Sequence, residues 1–303
     1  MSNRNAVSLY FVGQGAAILL WWLLLWLVPD ARPYFQIGGS ETALLAFWLP
    51  DLLLLGAGSL LGSYLCYRQH RFALLVLCVV CGAMSYASLY CLAFSLWTDA
   101  SWLNVVFMVP AMLLSIICTL AVSPVGQNFA RRAVPAPTRW NLTKTLLQIV
   151  VIWGVILFLL PALIVNIEQR AGLPRFTFSG QSLIAAGLFL GLSSLGIFSG
   201  VTMARLGEGT PLPVDGPRAL VVRGPYAFVR NPMALAGLGQ GIAVGLWFGS
   251  VAVLAYALAG SWVWQFLVRP LEEDDLLKQF GAAYEAYRKA VRCWWPRFSA
   301  YRG

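Results

Sequence analysis

The sequence has little charge and almost no histidine. Only 11% of its 303 residues are Asp, Glu, Lys or Arg, and it contains one histidine, His70. With 59% hydrophobic residues, such a chain is too apolar for a water-soluble fold. His70 lies in a short turn between Arg68 and Arg71, where solvation explains it, and no zinc-binding pattern is present. We therefore expect a lipid-embedded protein without a metal site.

The six cysteines do not indicate a disulfide framework. Cys78 and Cys81 have the spacing of a redox pair, so a membrane thiol oxidoreductase is one alternative. No polar neighbour accompanies the pair to tune a thiolate, which favours hydrophobic packing instead. Five cysteines fall within or at the ends of apolar runs, where cysteine acts as a small hydrophobe: Cys66, Cys78, Cys81, Cys91 and Cys118.

Long apolar runs dominate what is present. Runs of about 20 apolar residues have the length that crosses a bilayer as a helix. They predict an all-α, polytopic membrane protein, and the seventh of its eight spans is short for a crossing. The predicted spans are 6–28, 44–66, 72–97, 102–122, 143–165, 181–203, 233–247 and 250–268.

The basic residues are distributed unevenly between the two predicted faces. If the N-terminus is cytoplasmic, 18 Lys and Arg fall on the inner side and three, Arg32, Arg170 and Arg175, on the outer side. This bias predicts cytoplasmic termini, and we expect an integral protein of a bacterial inner membrane. A basic face toward anionic headgroups also explains the net charge of +9 without any nucleic acid partner.

A linker divides the chain into two regions. Residues 123–139 contain three prolines and three arginines between apolar blocks and are predicted to be cytoplasmic. Residues 1–122 form a four-span accessory region, for which we hypothesise an acceptor chamber or an oligomer contact. The oligomeric state stays open. Residues 140–303 form the core that carries the chemistry.

Polar residues concentrate in the stretch from Gly216 to Met233. Arg218, Arg223 and Arg230 occur there between two apolar blocks. Two bends, at Gly224-Pro225 and at Asn231-Pro232, bracket Tyr226 to Arg230. A basic loop that meets lipid headgroups is the simpler interpretation of this composition. A second segment downstream favours a binding site instead.

The downstream segment follows a predicted hairpin and runs from Arg269 to Arg292. It reads Arg269-Pro270-Leu271-Glu272-Glu273, then Leu276, Phe280-Gly281, Tyr284, Tyr287 and Val291-Arg292. Together with Gly224-Pro225-Tyr226 and Arg230-Asn231-Pro232-Met233, this order and spacing resemble isoprenylcysteine carboxyl methyltransferases and related phospholipid methyltransferases. The resemblance implies a membrane methyltransferase that uses S-adenosylmethionine and acts on a small amphipathic or lipid-like acceptor by O-, S- or N-methylation.

The resemblance also implies the roles of individual residues. The hairpin 233–268 would fold the second segment onto the first, and a cytoplasmic amphipathic helix would complete the cofactor site. Glu273 and Arg292 are the candidates for orienting the acceptor. The implied cofactor-binding residues are Gly224, Pro225, Tyr226, Arg230, Asn231, Pro232, Met233, Glu272, Tyr284 and Tyr287.

Each piece of the pattern also has a purely structural interpretation. Pro270 followed by acids suits a helix N-terminus. Phe280, Tyr284, Tyr287 and Val291 have helical spacing and could form an amphipathic face on the membrane. The chain also departs from the family, which most often has histidine at the position of Asn231 and tyrosine at that of Ala234. These departures affect the identity of the acceptor more than cofactor binding.

Two further functions compete with methyl transfer. Membrane sterol reductases have a related C-terminal hairpin but bind NADPH, which needs basic contacts for its 2′-phosphate. The paired acids Glu272 and Glu273 favour an ammonium-bearing cofactor instead. The third possibility is a non-catalytic membrane scaffold.

Overall fold

The computed structural model describes residues 3–37, 39–127, 133–211 and 215–302. Residues 128–132 of the predicted linker lie outside these ranges. Within them the regular structure is helical and contains no strand, so the predicted all-α, polytopic fold is confirmed. The main helices are α1 (Asn3–Leu27), α2 (Glu41–Tyr67), α3 (Ala73–Thr98), α4 (Trp102–Val122), α5 (Thr138–Arg170), α6 (Gln181–Leu206), α7 (Pro232–Phe248) and α8 (Val251–Ala290).

The described residues also contain shorter helical elements. Helical turns occupy Pro29–Tyr34, Pro124–Gln127 and Gly224–Ala227. Three of the long helices widen locally into π-helix, at Asp51–Ala57 in α2, at Gly154–Leu159 in α5 and at Trp264–Val268 in α8.

Seven of the eight main helices are long and apolar enough to cross a membrane. The exception is α7, which has 17 residues. At 1.5 Å per residue it is about 25 Å long, less than the roughly 30 Å of a hydrocarbon core. The helix predicted as a short span therefore exists, but its length falls below that of an ordinary crossing.

The chain divides into two compact units. The N-terminal unit comprises residues 1–127 and 166–174, and the C-terminal unit comprises residues 128–165 and 175–303. The N-terminal unit is joined internally by polar side chains between helices. The Gln14 carbonyl accepts hydrogen bonds from Tyr10 (2.5 Å) and Ser115 (2.8 Å), and its amide donates to Ser59 (3.1 Å). Such bonds stabilise helix pairs in lipid, where water cannot satisfy polar groups.

In the C-terminal unit, α5, α7 and α8 meet around an aliphatic cluster. Leu157, Val165, Val244 and Val253 are buried together, and Trp153 packs against them. The turn between α7 and α8 is short: Gly249 has φ +61°, and the Ser250 hydroxyl accepts the Val253 N–H to cap α8. This close hairpin returns the chain toward the segment that precedes α7.

The α7–α8 turn tolerates only glycine at position 249. A Cβ there would lie 2.1 Å from the Phe176 carbonyl oxygen, and φ is positive. We expect Gly249→Ala to lower the free energy of unfolding by roughly 2–3 kcal/mol. Gly260→Ala is the matched control, because nothing lies within 4 Å of its Cβ position in α8. Thermal melting in detergent should show a loss for the first variant only. Equal melting temperatures would contradict this account of the turn.

Helix α8 differs from the sequence prediction. The residue pattern predicts a helix N-terminus at Pro270, yet the helix continues through Pro270 to a kink at Gly281. The 30 residues before this kink are about 45 Å long, more than the roughly 30 Å of the hydrocarbon core. A proline inside a helix removes one backbone hydrogen bond, and the π-helical segment Trp264–Val268 lies directly before it. Residues 251–268 contain no charged side chain, whereas 269–290 contain nine. The part from Arg269 onward therefore lies outside the hydrocarbon.

Candidate active site

The segment before α7 forms one wall of the candidate site. Gly224 has φ +60° and begins the turn Gly224–Ala227, within which Pro225 and Tyr226 are buried. Asn231 caps α7, since its side-chain oxygen accepts the Ala234 N–H at 3.0 Å. Pro232 takes the first helical position, where its missing N–H has no partner to lose. Gly224, Pro225 and Pro232 thus shape the backbone of this wall.

Arg230 ties this wall to the end of α8. One guanidinium nitrogen donates to the carbonyl oxygens of Arg288 (2.8 Å) and Val291 (3.2 Å). The other pairs with Glu273 at 2.8 Å. The Arg230 backbone N–H donates to the Arg292 carbonyl at 2.9 Å. The side-chain bonds use three of the five N–H donors of the guanidinium, and the other two have no partner among the described residues.

A kink in α8 lets both ends of the downstream segment reach the first wall. At Gly281 the backbone has φ 53° and ψ −128°, a conformation that essentially only glycine adopts. Beyond the kink, the Tyr287 hydroxyl donates to the Tyr226 carbonyl at 2.7 Å. The predicted amphipathic face, with Tyr284, Tyr287 and Val291, is buried against Leu220 and its neighbours. This face therefore packs on protein and not on the membrane surface.

An open cleft lies between these segments, entirely within the C-terminal unit. About 790 Å³ of space free of protein atoms lies within it, counting the open solvent at its mouth. Seven of the predicted cofactor residues line it: Tyr226, Arg230, Asn231, Met233, Glu272, Tyr284 and Tyr287. The structure thus brings both motif segments to one cleft.

The two predicted acceptor-orienting residues are placed elsewhere. Neither Glu273 nor Arg292 is among the described residues that line the cleft. Glu273 pairs with Arg230 and, at 3.3 Å, with Arg269. The Arg292 side chain is exposed, and its carbonyl accepts the Arg230 N–H. This geometry favours a positioning role for Glu273, which holds two guanidinium groups.

Several residues of the cleft wall are not among the predicted site residues. Asp275 lies one turn after Glu272 on the same face of α8, and this i, i+3 spacing could have identified it. The apolar lining has no such signal, because its spacing is that of any packed helix or loop. These residues are Met203, Pro211, Gly216, Pro217, Leu220, Val221 and Leu276.

Glu272 has the most perturbed acidity among the carboxyl groups of the cleft. Burial, and secondly the neighbouring Glu273, raise the pKa of Glu272 to about 7. In the part of the chain that the structure describes, no side chain donates a hydrogen bond to its carboxylate or forms an ion pair with it. A buried carboxylate without a cation is unstable in the charged form. The cleft therefore presents a group that a cationic ligand would stabilise.

The apolar helices and the cleft together define the class: an integral membrane protein with an open cleft beside its C-terminal hairpin. Residues 176–283 match the family described as phospholipid methyltransferase, which confirms the resemblance over this segment. The match supports a membrane methyltransferase. It includes Gly224 to Gly281 and ends before Tyr284, Tyr287 and Arg292. No curated protein and no solved structure matches the chain.

Proposed function

We propose that the chain is an S-adenosylmethionine-dependent methyltransferase that acts on a small amphipathic or lipid-like acceptor at the cytoplasmic face of a bacterial inner membrane. The observation that carries this proposal is the half-buried carboxylate of Glu272, which has no ion-pair partner among the described residues and lies in the same cleft as Arg230. An amino acid carrying a sulfonium needs both a carboxylate and a guanidinium nearby.

The residues of the cleft fit this cofactor. Glu272 and Asp275 would hold its ammonium and face its sulfonium. The free N–H donors of Arg230 would hold its carboxylate, and the rings of Tyr226, Tyr284 and Tyr287 provide apolar and π contacts. When bound, the cofactor supplies an activated methyl group. The residues of the chain bind it, orient it and exclude water.

The methyl-transfer step requires little acid–base catalysis. The cofactor would supply an electrophilic methyl group to a lone pair on the acceptor oxygen, sulfur or nitrogen, and its neutral thioether would be the leaving group. A proton lost by the acceptor passes to water at the open mouth. Catalysis then comes mainly from alignment and desolvation. Glu273 contributes by positioning Arg230 and Arg269.

The charges of the cleft favour this cofactor over NADPH. Among the described lining residues, Arg230 is the one basic side chain, while Glu272 and Asp275 are acidic. A 2′-phosphate and a pyrophosphate would require several cations there. The same charges suit a cofactor that bears an ammonium and a single carboxylate.

Methyl transfer tests the proposed function directly. Detergent-purified protein would be incubated with methyl-labelled S-adenosylmethionine and a bacterial total lipid extract, and label would be counted in the organic phase. We expect incorporation that S-adenosylhomocysteine inhibits. The exposed Glu285, paired with Lys289 on α8, provides a control, since Glu285→Gln should leave the rate unchanged. Reduction of a lipid with NADPH, in the absence of label transfer, would overturn the proposal.

Cofactor binding should depend on pH in a defined direction. The pKa of Glu272 is raised to about 7, so the group is largely neutral below pH 7 and charged above it. The ammonium group of S-adenosylhomocysteine pairs with the charged form, and we expect the affinity for this ligand to rise with pH toward 8. Below pH 7 it should fall by up to about tenfold per pH unit. Calorimetry between pH 5.5 and 8.5 measures this slope, and a flat profile would contradict the role of Glu272.

A further inference from the structure

Helix α5 carries a buried polar face that the proposed mechanism does not use. Asn141, Thr145 and Gln148 are spaced at i, i+4 and i+7, on one side of the helix. Asn141 is 1% exposed and Thr145 is fully buried. Both amide atoms of Asn141, the Thr145 hydroxyl and the Gln148 carbonyl oxygen have no hydrogen-bond partner among the described residues. Each such group costs several kcal/mol in an apolar medium.

A neighbour on the same helix shows what this face lacks. Thr143 points outward, and its hydroxyl donates to the Arg139 carbonyl one turn earlier, at 3.0 Å. This is the usual way in which a helical threonine satisfies its hydroxyl. Thr145 does not make the equivalent bond. The inward polar groups are therefore held away from their own backbone.

Two contacts place this face behind the wall of the cleft. Lys144 pairs with Asp215 at 2.5 Å, and the next residue, Gly216, lines the cleft. The Thr145 methyl lies 3.2 Å from the Cβ position of Gly200 on α6. The terminal carbon of Met233, another lining residue, lies 3.8 Å from the same point. Asn141 precedes Lys144 and Thr145 by one turn and hence faces this wall.

The wall itself is built from adaptable side chains. Met203 and Met233 line the cleft, and methionine fills space with three rotatable bonds and little resistance to rearrangement. Met233 lies both on the cleft and beside the Gly200 position that Thr145 contacts, so rotation of its side chain is the route by which a ligand group would reach the polar face. The polar face and the cleft would then form one site.

The charge of the face selects the class of ligand. Lys144 is neutralised by Asp215, so the face offers an amide donor, an amide acceptor and a hydroxyl without net charge. A hydroxyl, phenol or amide headgroup can donate to one of these acceptors and accept from one of these donors. Lys144 is the one cation on this face among the described residues and is already paired, so the burial of an anionic phosphate or carboxylate there would be costly.

We propose that Asn141 and Thr145 form the headgroup subsite of the methyl acceptor, and that this acceptor carries an uncharged, hydrogen-bonding headgroup on an apolar tail. This proposal rests on the proposed function, because only a methyltransferase has a methyl acceptor. The polar binding face itself is supported by the contacts of α5. Both residues precede position 176 and lie outside the segment that matches the methyltransferase family.

The first test is thermal melting of the full-length protein in detergent. Thr145→Val keeps the shape and removes only the unpaired hydroxyl, so we expect an unchanged or slightly higher melting temperature. Thr143→Val is the matched control on the outer face. A fall of 5 °C or more for Thr145→Val would show that the hydroxyl supports the fold and would overturn the proposal.

The second test uses two probes with the same tail, 4-dodecylphenol and dodecyl phosphate. We expect the phenol to raise the wild-type melting temperature by at least 3 °C, and Asn141→Leu and Thr145→Val to lose most of this shift. Thr143→Val should retain it. Equal or greater stabilisation by the phosphate, no stabilisation by the phenol, or a shift that survives both substitutions would overturn the proposal.

Calorimetry with S-adenosylhomocysteine separates this proposal from the proposed function. We expect Asn141→Leu and Thr145→Val to bind S-adenosylhomocysteine with an affinity within twofold of that of the wild type. If the wild-type protein fails to bind S-adenosylhomocysteine while Asn141→Leu still reduces the melting-temperature shift caused by 4-dodecylphenol, that result would contradict the assigned cofactor and support the polar binding face.

Discussion

Replacing Glu272 with glutamine is expected to weaken the binding of S-adenosylhomocysteine by roughly 100-fold, or about 2.7 kcal/mol. The substitution keeps the size of the side chain and removes a half-buried carboxylate of the cleft that has no hydrogen-bond or ion-pair partner among the described residues and whose pKa is raised to about 7. The substitution should also flatten the pH dependence of binding, because it removes the carboxyl group whose pKa is raised to about 7.

The control for this variant lies on the same helix. Glu285→Gln removes an exposed carboxylate that pairs with Lys289, four residues later. It should bind S-adenosylhomocysteine as the wild type does, since it lies beyond the Gly281 kink and outside the described cleft lining. Equal affinity of the Glu272 variant and this control would show that the ligand's cation is held elsewhere.

Replacing Arg230 with alanine is expected to damage both binding and folding. Its guanidinium holds Glu273 and two carbonyl oxygens at the end of α8. Both members of the ion pair are largely buried, so the loss leaves a carboxylate and two carbonyls without their main partner. We expect a cost of about 3 kcal/mol and a melting temperature lower by roughly 6–10 °C.

Two further variants show whether the effect of Arg230 is specific. Arg218→Ala removes a more exposed arginine, paired with Glu208 at 3.4 Å, and should change the melting temperature little. Glu273→Gln leaves the bonds from Arg230 to the backbone carbonyls intact and should give an intermediate loss. A wild-type melting temperature for Arg230→Ala would contradict its role as the link between the two walls.

The sequence was sufficient to predict that the two motif segments meet, because their order and spacing survive as a pattern. It could not show which acid faces the cleft. Adjacent side chains in a helix point about 100° apart, so Glu272 and Glu273 face different directions. Which of the two faces the cleft depends on the rotation of α8, which the π-helical segment before Pro270 alters. No residue pattern predicts that segment.

Other features depended on tertiary packing for the same reason. Asn231 replaces the histidine that is common in the family, and its role as a helix cap follows from the turn that precedes α7. The unpaired groups of Asn141 and Thr145 look like ordinary polar residues in a span. Their significance appears only when Gly200 and Met233 are placed beside them.

The most direct measurement is a calorimetric titration of S-adenosylhomocysteine, with NADPH in parallel, into the detergent-purified wild-type protein at pH 8. The account predicts micromolar binding of S-adenosylhomocysteine and no measurable binding of NADPH, since Arg230 is the one cation among the described residues of the cleft. Binding of NADPH alone would contradict it and would identify a reductase. Binding of neither would contradict it in favour of a scaffold.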